Sequence, residues 1–393
     1  MTMKKRWAFG GWISLSLVGL LVGAGASFGT LKDLSTCSKK QITILATNDF
    51  HGAVEPSEVR IPGYPVKTVG GMSFWSGVVQ SIREGIRTKL GDDCGGVLVV
   101  DAGDQFQGTL LSNFSEGELM FDLMNRVGYD AVVPGNHDYD FGPAGWLEDQ
   151  VSSRTTDKDP RGVIKSLASR AKFTLISANT YLKDSLLDLN GHSVPVESVG
   201  CKTDQLIDWS RARRVEFAQP YVIKTVATTR VALIGLDNVQ TPKTTTAANV
   251  SDLCFRDPFT EYMALREELK NRADVFVIVM HDGDTKNDFN MSSLVKKILA
   301  ADPRGVDAVV AGHTHFVNEV NFNGVPAIQS GANGERFGRI DLFYDKQTQQ
   351  VDRTQMKFVG GVFLDNNGCD YKSKTFCHVD GTAVGVDRLR FEG

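Results

Sequence analysis

Short, almost wholly apolar runs recur along the chain from residue 41, and clusters of polar residues follow most of them. The runs are rich in β-branched side chains, which is typical of strands that are buried on both faces of a sheet. They span residues 42–46, 97–100, 131–133, 173–176, 231–236, 275–280 and 308–310. Sequences with helical periodicity lie at residues 74–90, 118–127, 258–271 and 291–301. The alternation of strands and helices predicts a layered α/β core.

The last third of the chain changes to a pattern of short strands and turns. Residues 317–321 and 325–328 flank an Asn323-Gly324 dipeptide, which is a strong hairpin signal. Further strands are predicted at residues 338–344 and 351–358, and little periodicity is present after about residue 360. Two polar insertions, at residues 151–162 and 183–214, interrupt the alternation. The second contains a cluster of arginines after a tryptophan, which we interpret as a solvated face rather than a substrate clamp.

The first 26 residues have the features of a secretory signal peptide. A basic segment, Lys4-Lys5-Arg6, precedes an apolar stretch at residues 12–22, and Ala24-Gly25-Ala26 offers small residues for cleavage after Ala26. The stretch is shorter than the roughly 20 residues of a membrane-spanning helix, so we expect no stable transmembrane anchor. An uncleaved anchor and a lipid attached at Cys37 are the alternatives. We therefore expect an exported protein, periplasmic or extracellular, in which residues 27–40 form a linker.

Charge and cysteine content narrow the function classes. The chain has 393 residues and a formal net charge of −4, and the predicted signal peptide removes three basic residues and no acidic ones. Such a chain lacks the basic footprint of a protein that coats nucleic acid, whereas local charge could still bind a small anion. All six cysteines follow the signal peptide. We expect some to be bridged, with Cys369–Cys377 as a local loop closure, and others to be buried free thiols.

Histidines are concentrated directly after the predicted strands. Five of the seven histidines occupy such positions, and aspartate and asparagine accompany them. Ligands bind at the carboxyl ends of strands in open α/β sheets, so we expect these distant residues to converge on one rim of the sheet. The converging candidates are Asp49, His51, Asp101, Asp104, Asn136, His137, Asp138, Asp140, His281, His313 and His315.

The types of these residues point to a metal centre. Carboxylate, imidazole and amide ligands without a thiolate suit Zn, Mn, Fe or Co rather than a cysteine-rich structural zinc site. The candidates exceed what one ion can use, and two divalent ions that share a bridging carboxylate account for them. We attribute the common direction of Asp49 and His51 to alternation at a strand end, and Gly312 to a tight turn before His313 and His315.

Four of the blocks, in this order, resemble the calcineurin-like metallophosphoesterases. They are ILATNDFHG from residue 44, GDQFQGT from residue 103, GNHD from residue 135 and GHTH from residue 312. The resemblance covers residues 41–345 and is specifically to the branch of exported 5′-nucleotidases, UDP-sugar hydrolases and 2′,3′-cyclic-nucleotide phosphodiesterases. It implies an α/β fold, a four-layer α/β/β/α sandwich with two packed mixed sheets, in a catalytic domain that we place at residues 41–358.

The resemblance also assigns roles to individual residues. It implies that a first metal ion binds Asp49, His51, Asp104 and His315. It implies that a second metal ion binds Asp104, Asn136, His281 and His313. His137 would be a catalytic residue that faces the substrate, and Asp140, also catalytic, would orient its ring. Asp101 and Asp138 are expected to support the structure.

The expected function is hydrolysis of phosphate monoesters by an exported enzyme similar to 5′-nucleotidases. A hydroxide held between two divalent ions would attack the phosphorus of a small phosphorylated substrate, with a nucleotide as first candidate. The alternatives are a phosphodiesterase or nucleotide pyrophosphohydrolase for cyclic nucleotides or UDP-sugars, and a non-catalytic metal-binding surface protein. Members of this branch carry a C-terminal nucleotide-binding domain, and residues 359–393 are expected to form only a short tail in its place.

Overall fold

The computed structural model describes residues 37–60, 66–144, 159–203 and 206–364. Several predictions concern residues outside these ranges. They are the signal peptide at residues 1–26, residues 27–36 of the linker, residues 151–158 of the first insertion, and the Cys369–Cys377 pair in the tail. Among the described residues, no helix is both long and apolar enough to cross a membrane.

The secondary structure follows the predicted alternation of strands and helices. The strands are β1 (Lys39–Thr47), β2 (Ser57–Val59), β3 (Lys67–Val69), β4 (Gly95–Asp101), β5 (Ala131–Val132), β6 (Thr174–Leu175), β7 (Thr180–Leu182), β8 (Val199–Gly200), β9 (Tyr221–Val226), β10 (Thr229–Leu236), β11 (Leu253–Arg256), β12 (Val275–Met280), β13 (Ala308–Ala311), β14 (Val317–Phe322), β15 (Val325–Ser330), β16 (Arg336–Asp345), β17 (Gln350–Val351) and β18 (Lys357–Phe363). The helices are α1 (Met72–Leu90), α2 (Leu110–Phe114), α3 (Glu118–Val127), α4 (Gly162–Arg170), α5 (Thr241–Thr244), α6 (Pro258–Leu269) and α7 (Asn290–Ala301).

The first large sheet contains the first apolar runs of the chain. Its strands lie in the order β17-β16-β1-β4-β5-β6, and β18 also pairs with β16. β1, β4, β5 and β6 run parallel to one another, and β16 is antiparallel to β1. This mixed pairing aligns the carboxyl ends of β1, β4 and β5 at one rim of the sheet.

The second large sheet contains the later apolar runs, in the order β14-β15-β13-β12-β10-β9. β10, β12, β13 and β15 are parallel, and β9 and β14 are antiparallel edge strands. The predicted hairpin between β14 and β15 is present, and its two turn residues, Asn323 and Gly324, have φ of 53° and 87°. Positive φ at both central residues is what a tight hairpin turn of this kind requires.

The two sheets pack face to face, with helices on their outer faces. Ile44 of β1 joins a buried cluster between the sheets that includes Val277 and Val310 of the second sheet. The neighbouring Leu45 points the other way, into a cluster with Trp75 of α1 and residues of α3 and α4. Helices α6 and α7 cover the outer face of the second sheet in a third cluster. The predicted four-layer α/β/β/α sandwich is therefore confirmed.

The second predicted insertion contributes β8 to a small sheet with strand order β7-β11-β8. A disulfide between Cys201 and Cys254 links the insertion to β11, and a second disulfide joins Cys37 to Cys94 just before β4. Each of the four cysteines in the described ranges is therefore bridged. For these residues the expectation of buried free thiols is wrong.

Candidate metal centre

The loops that follow β1, β4, β5, β12 and β13 meet at one end of the two large sheets. The first sheet contributes Asp49, His51, Asp104, Asn136 and His137, and the second contributes His281, His313 and His315. The prediction of convergence on one rim of a single sheet is wrong, because the residues come from the rims of two sheets. Face-to-face packing brings these two rims together.

Asp49, His51 and His315 form a first group of potential metal ligands, whose ligand atoms all lie within 4.8 Å of one another. Nε2 of His315 lies 3.3 Å from Oδ1 of Asp49 and 3.1 Å from Nε2 of His51. The other ring nitrogen of His51, Nδ1, donates a hydrogen bond of 2.9 Å to the carbonyl oxygen of Gln107. Since a carbonyl can only accept, this bond fixes the tautomer and leaves the Nε2 lone pair facing the group.

Asp104, His281 and His313 form a second group within the same 4.8 Å limit. Nε2 of His281 lies 3.2 Å from Oδ2 of Asp104 and 3.0 Å from Oδ1 of Asn136, so the predicted amide ligand borders this group. Nδ1 of His281 donates to the carbonyl oxygen of Ala102 at 2.7 Å. This bond directs the Nε2 lone pair of His281 toward the group, as the corresponding bond does for His51.

The Asp104 carboxylate faces both groups. Its Oδ2 atom, which is close to His281, also lies 3.9 Å from Nε2 of His51. Asp49 and Asp104 are 0% and 1% exposed, and within the described ranges their ion-pair partners are histidines rather than lysine or arginine. Buried carboxylates require positive charge nearby, which protonated histidines or bound cations can supply here. A pair of divalent cations, one at each group, fits this set of donors.

The pKa values of the second group depend on the contact between His281 and Asp104. Burial alone would lower the pKa of His281, but the adjacent Asp104 carboxylate outweighs burial and raises it to about 10. Burial would raise the pKa of Asp104, but His281 holds it below its usual range. Burial, together with the charge of His281, lowers the pKa of His313 to about 4. A cation at this group would therefore compete with a proton for His281, whereas His313 is already neutral.

Most of the ligand-type residues have left-handed backbone conformations. The φ angles are 50° at Asp49, 49° at His51, 58° at Asp104, 74° at His313 and 59° at His315. Because β1 ends before Asp49, the prediction that strand alternation orients Asp49 and His51 is wrong. Residues other than glycine rarely adopt such angles, although aspartate tolerates them better than most, and strain of this kind is characteristic of functional sites.

Glycines beside the ligands are required by close packing. A Cβ atom on Gly135 would lie 2.1 Å from Oδ1 of Asp104, and one on Gly103 would lie 2.2 Å from Nδ1 of His281. A Cβ atom on Gly312 would lie 2.6 Å from a backbone oxygen of the loop after β4. The tight turn predicted after Gly312 is present, because the N–H of Thr314 donates to the carbonyl oxygen of Gly312 at 3.0 Å, but the positive φ of this turn belongs to His313 and not to Gly312. Glycine is needed there because two ligand-bearing loops approach each other.

His137 lies beside the two groups, and its ring centroid is 5.6 Å from that of His51. Nδ1 of His137 is 2.5 Å from Oδ2 of Asp140, and this hydrogen bond raises the pKa of His137. Asp140 is itself held in place, because the Thr245 hydroxyl donates to its Oδ1 at 2.7 Å and the Thr246 N–H donates at 3.2 Å. The carboxylate thus orients the imidazole, which leaves Nε2 free to meet a substrate.

Asp138 positions the two loops that carry Asp104 and Asn136. Its carboxylate accepts hydrogen bonds from the backbone N–H groups of Asp104, Gln105 and Gly135 at 3.0, 3.1 and 2.7 Å. It touches the ligands only through their backbone, in agreement with the expected supporting role. Thr245 and Thr246 were not predicted, because nothing in their threonine-rich sequence signals a contact with Asp140.

Other polar side chains of the described ranges belong to neither ligand group. The arginines that follow Trp209 are ion-paired, as Arg211–Asp208, Arg213–Asp184 and Arg214–Glu261. His192 is exposed and contacts Asp188. Asn179 bonds to the backbone of Asp237. Asp101 accepts from Thr47, Gly103 and Gln105, as a supporting residue would. His378 lies outside the described ranges.

Comparisons with known proteins identify relatives of this chain. The chain is 27% identical over 337 residues to the snake venom 5′-nucleotidase of Crotalus adamanteus, covering 78% of this chain and 45% of that protein. It is 28% identical over 270 residues to the trifunctional nucleotide phosphoesterase protein YfkN of Bacillus subtilis, covering 66% of this chain and 17% of that protein. The chain thus spans about half or less of the length of these curated relatives.

Solved structures share the fold. A 5′-nucleotidase precursor from Thermus thermophilus superposes with a TM-score of 0.57 at 20% identity, over 89% of this chain and 59% of that one. The calcineurin-like phosphoesterase YfkN from Bacillus subtilis gives a TM-score of 0.56 at 18% identity, over 90% and 99% of the two chains. The sequence profile of the calcineurin-like phosphoesterases matches residues 42–317, a segment that includes every residue of both ligand groups. The chain belongs to the calcineurin-like phosphoesterase family.

Proposed function

We propose that this protein is a two-metal phosphoesterase that hydrolyses phosphate monoesters, with nucleoside 5′-monophosphates as the first candidate substrates. The observation that carries the proposal is the pair of adjacent ligand groups, in which Oδ2 of Asp104 in the second group lies 3.9 Å from Nε2 of His51 in the first. The name 5′-nucleotidase, which several relatives carry, supports the choice of substrate.

The ligand assignment follows the two groups. Asp49, His51 and His315 would hold one cation, His281, His313 and Asn136 the other, and Asp104 would bridge them. When bound, such cations supply positive charge for the phosphoryl oxygens and lower the pKa of a water between them. Zn, Mn, Fe and Co all suit these donors.

His137 is the proposed acid that acts on the phosphoryl group and the leaving oxygen. The oxygen of a water molecule bonds to phosphorus while the bond from phosphorus to the leaving oxygen breaks. His137, oriented through Nδ1 by Asp140, presents Nε2–H to the substrate, and its raised pKa favours the protonated form. This N–H stabilises the negative charge that develops on the phosphoryl group and can donate its proton to the leaving oxygen.

Export is part of the proposal. The two disulfides, Cys37–Cys94 and Cys201–Cys254, support folding in an oxidising compartment, where such bonds persist. N-terminal sequencing of the protein recovered outside the cytoplasm tests the predicted cleavage after Ala26. Recovery with an intact Met1 would contradict it.

A substrate panel tests the activity. The full-length chain, stripped of metal and reloaded with Mn²⁺ or Zn²⁺, is assayed with p-nitrophenyl phosphate, its bis ester, AMP and UDP-glucose. We expect turnover of AMP and the nitrophenyl monoester, and loss of both metal and activity in Asp104→Asn. Preference for the bis ester or UDP-glucose would favour a diesterase or pyrophosphohydrolase instead. Metal binding without turnover of any compound would contradict the enzymatic proposal.

A further inference from the structure

A cavity of about 810 Å³ opens beside Asp140, next to the proposed metal centre. Its volume lies in the range of small-molecule binding sites. One wall comes from the loop after β4, which includes Gln107, and the opposite wall comes from α5 and the segment after it. Phe141, stacked on Phe106 with ring centroids 5.8 Å apart, provides an apolar surface. A leaving group attached to a phosphoryl at the metal centre could occupy this space.

Hydrogen bonds of α5 and of the residues that follow it connect the cavity wall to the proposed metal centre. The carbonyl oxygen of Thr244 accepts a hydrogen bond of 2.9 Å from Nδ2 of Asn136, a proposed metal ligand. Thr245 and Thr246 donate to Asp140. Lys243 immediately precedes this anchored segment, so its side chain extends from a backbone that is fixed relative to the reacting phosphoryl.

Most polar side chains that line the cavity are already used within the protein. Asn113 bonds to the backbone of Gly108, and Asn249 donates to the backbone oxygens of Tyr139 and Asp140. The threonines of the segment bond to Asp140 or to the backbone of α5 and the residue before it. These groups shape the cavity but have limited capacity to bind a ligand.

The side chains of Lys243 and Gln107 differ from these lining residues in their hydrogen bonding. Within the described ranges, neither side chain has a hydrogen-bond or ion-pair partner, although both line the cavity. Apart from Lys243, the charged lining residue is Asp140, whose carboxylate already accepts from His137 and Thr245. The unused recognition groups are therefore one ammonium and one amide.

We propose that Lys243, assisted by Gln107, forms a leaving-group subsite that selects phosphate esters or anhydrides whose leaving group carries a second anionic group. The inference rests on the proposed function, because it assumes that a phosphoryl group reacts at the metal centre. A carboxylate or a second phosphoryl in the cavity pairs with the Lys243 ammonium, and a neutral alcohol gains no such contact. Gln107 can donate to, or accept from, a hydroxyl of the same leaving group.

Two matched pairs of substrates test the subsite. In the first pair, 3-phosphoglycerate and glycerol 3-phosphate differ by a carboxylate in the leaving group; in the second, ADP and AMP differ by a phosphoryl. We expect Lys243→Gln to lower the ratio of kcat/KM for the anionic over the neutral leaving group by about threefold to tenfold. The pair with the larger change identifies the anion that the subsite prefers.

Binding gives a second readout and a matched control is available. Calorimetric titration of the Mn²⁺-loaded enzyme with the non-hydrolysable phosphonate analogues of the first pair should show the same loss of preference in the dissociation constants. Lys297, an exposed lysine on α7, provides Lys297→Gln, which removes the same charge away from the cavity and should leave both ratios unchanged.

The outcomes separate the two proposals. A wild-type enzyme that hydrolyses none of the four compounds contradicts the proposed function. An enzyme that hydrolyses them with ratios unchanged by Lys243→Gln contradicts the subsite alone. An equal decrease for both members of each pair also contradicts it, because Lys243 would then act on the reacting phosphoryl.

Discussion

Replacing Gly135 by alanine tests whether the backbone after β5 holds the bridging carboxylate in place. The added Cβ atom would lie 2.1 Å from Oδ1 and 2.3 Å from the backbone nitrogen of Asp104, whereas ordinary contacts begin at 3.4 Å. The same Oδ1 atom accepts a hydrogen bond of 2.8 Å from the backbone of His137. The substitution therefore affects Asp104 and His137, the proposed catalytic histidine, together.

The size of the effect follows from these distances. The carboxylate must move by roughly 1 Å, while metal–ligand distances tolerate only about ±0.2 Å. We expect metal affinity to fall about a hundredfold or more, at the upper end of what loss of a supporting residue causes. At a metal concentration of about a hundred times the wild-type Kd, binding stabilises the folded wild-type protein by about 2.7 kcal/mol, and Gly135→Ala should lose most of this. Steric overlap between the added methyl group and Asp104 should destabilise the metal-stripped variant by a further ~1–3 kcal/mol.

Denaturant unfolding with metal measures the loss of metal-dependent stabilisation, and unfolding without metal measures the destabilisation caused by steric overlap. Direct metal titration measures the affinity. Gly77→Ala is the control, because Gly77 lies in α1 with no neighbouring atom within 4 Å of an added Cβ. Alanine should stabilise that helix position by up to about 1 kcal/mol without changing metal affinity. If Gly135→Ala bound metal as tightly as the wild type, the proposed position of Asp104 between two cations would be refuted.

Three further predictions concern the centre and its support. His137→Ala should keep its metal content but lose about 10²–10⁴-fold in kcat, measured by metal analysis and steady-state kinetics; loss of metal would show that His137 is a ligand. Metal uptake should release protons, because Asp104 raises the pKa of His281 to about 10 against the effect of burial, so His281 is protonated near neutral pH in the metal-stripped protein. Affinity should therefore fall as pH decreases, and calorimetry in buffers of different ionisation enthalpy counts the protons; a buffer-independent enthalpy would contradict it. Removing the Cys201–Cys254 bond, which closes a sequence separation of 53 residues, by serine at both positions should destabilise the fold by about 4 kcal/mol in denaturant unfolding, and an unchanged midpoint would contradict it.

The sequence predicted which segments form strands and helices better than it predicted the order of the strands in the sheets. Runs of β-branched residues mark buried strands locally, so β10, β12 and β13 were found close to their observed bounds. Strand order is not a local property: β1 pairs with β4 on one side and with β16, nearly 300 residues later, on the other. The division of the strands between two sheets was therefore not derivable from their pattern. Short or polar strands, such as β7 and β8 in the small sheet, give too little periodicity to recognise.

The candidate site was more predictable than the fold, because its residues follow strands directly. The side chains that were missed contact the site from a segment with no chemical signature. Lys243 and Thr245 lie in a threonine-rich stretch more than 100 residues after Asp140, and only the tertiary structure brings them together. Nothing in the local sequence distinguishes such a stretch from an ordinary loop.

The left-handed residues explain why these ligands can be placed before any cation arrives. Such a conformation is unfavourable by roughly 1–2 kcal/mol for a residue other than glycine, so each one must be held by other contacts. Backbone hydrogen bonds do this. The N–H of Asp49 donates to the carbonyl oxygen of Gly103 at 2.8 Å, and the N–H of His51 donates to the backbone carbonyl oxygen of Asp104 at 2.9 Å. The loops after the parallel neighbours β1 and β4 thus hold each other in the conformation that points three ligand side chains at one volume. The strained loops therefore hold carboxylates and imidazoles together before metal binds, with protonated His281 supplying positive charge beside Asp104 until a cation replaces its proton.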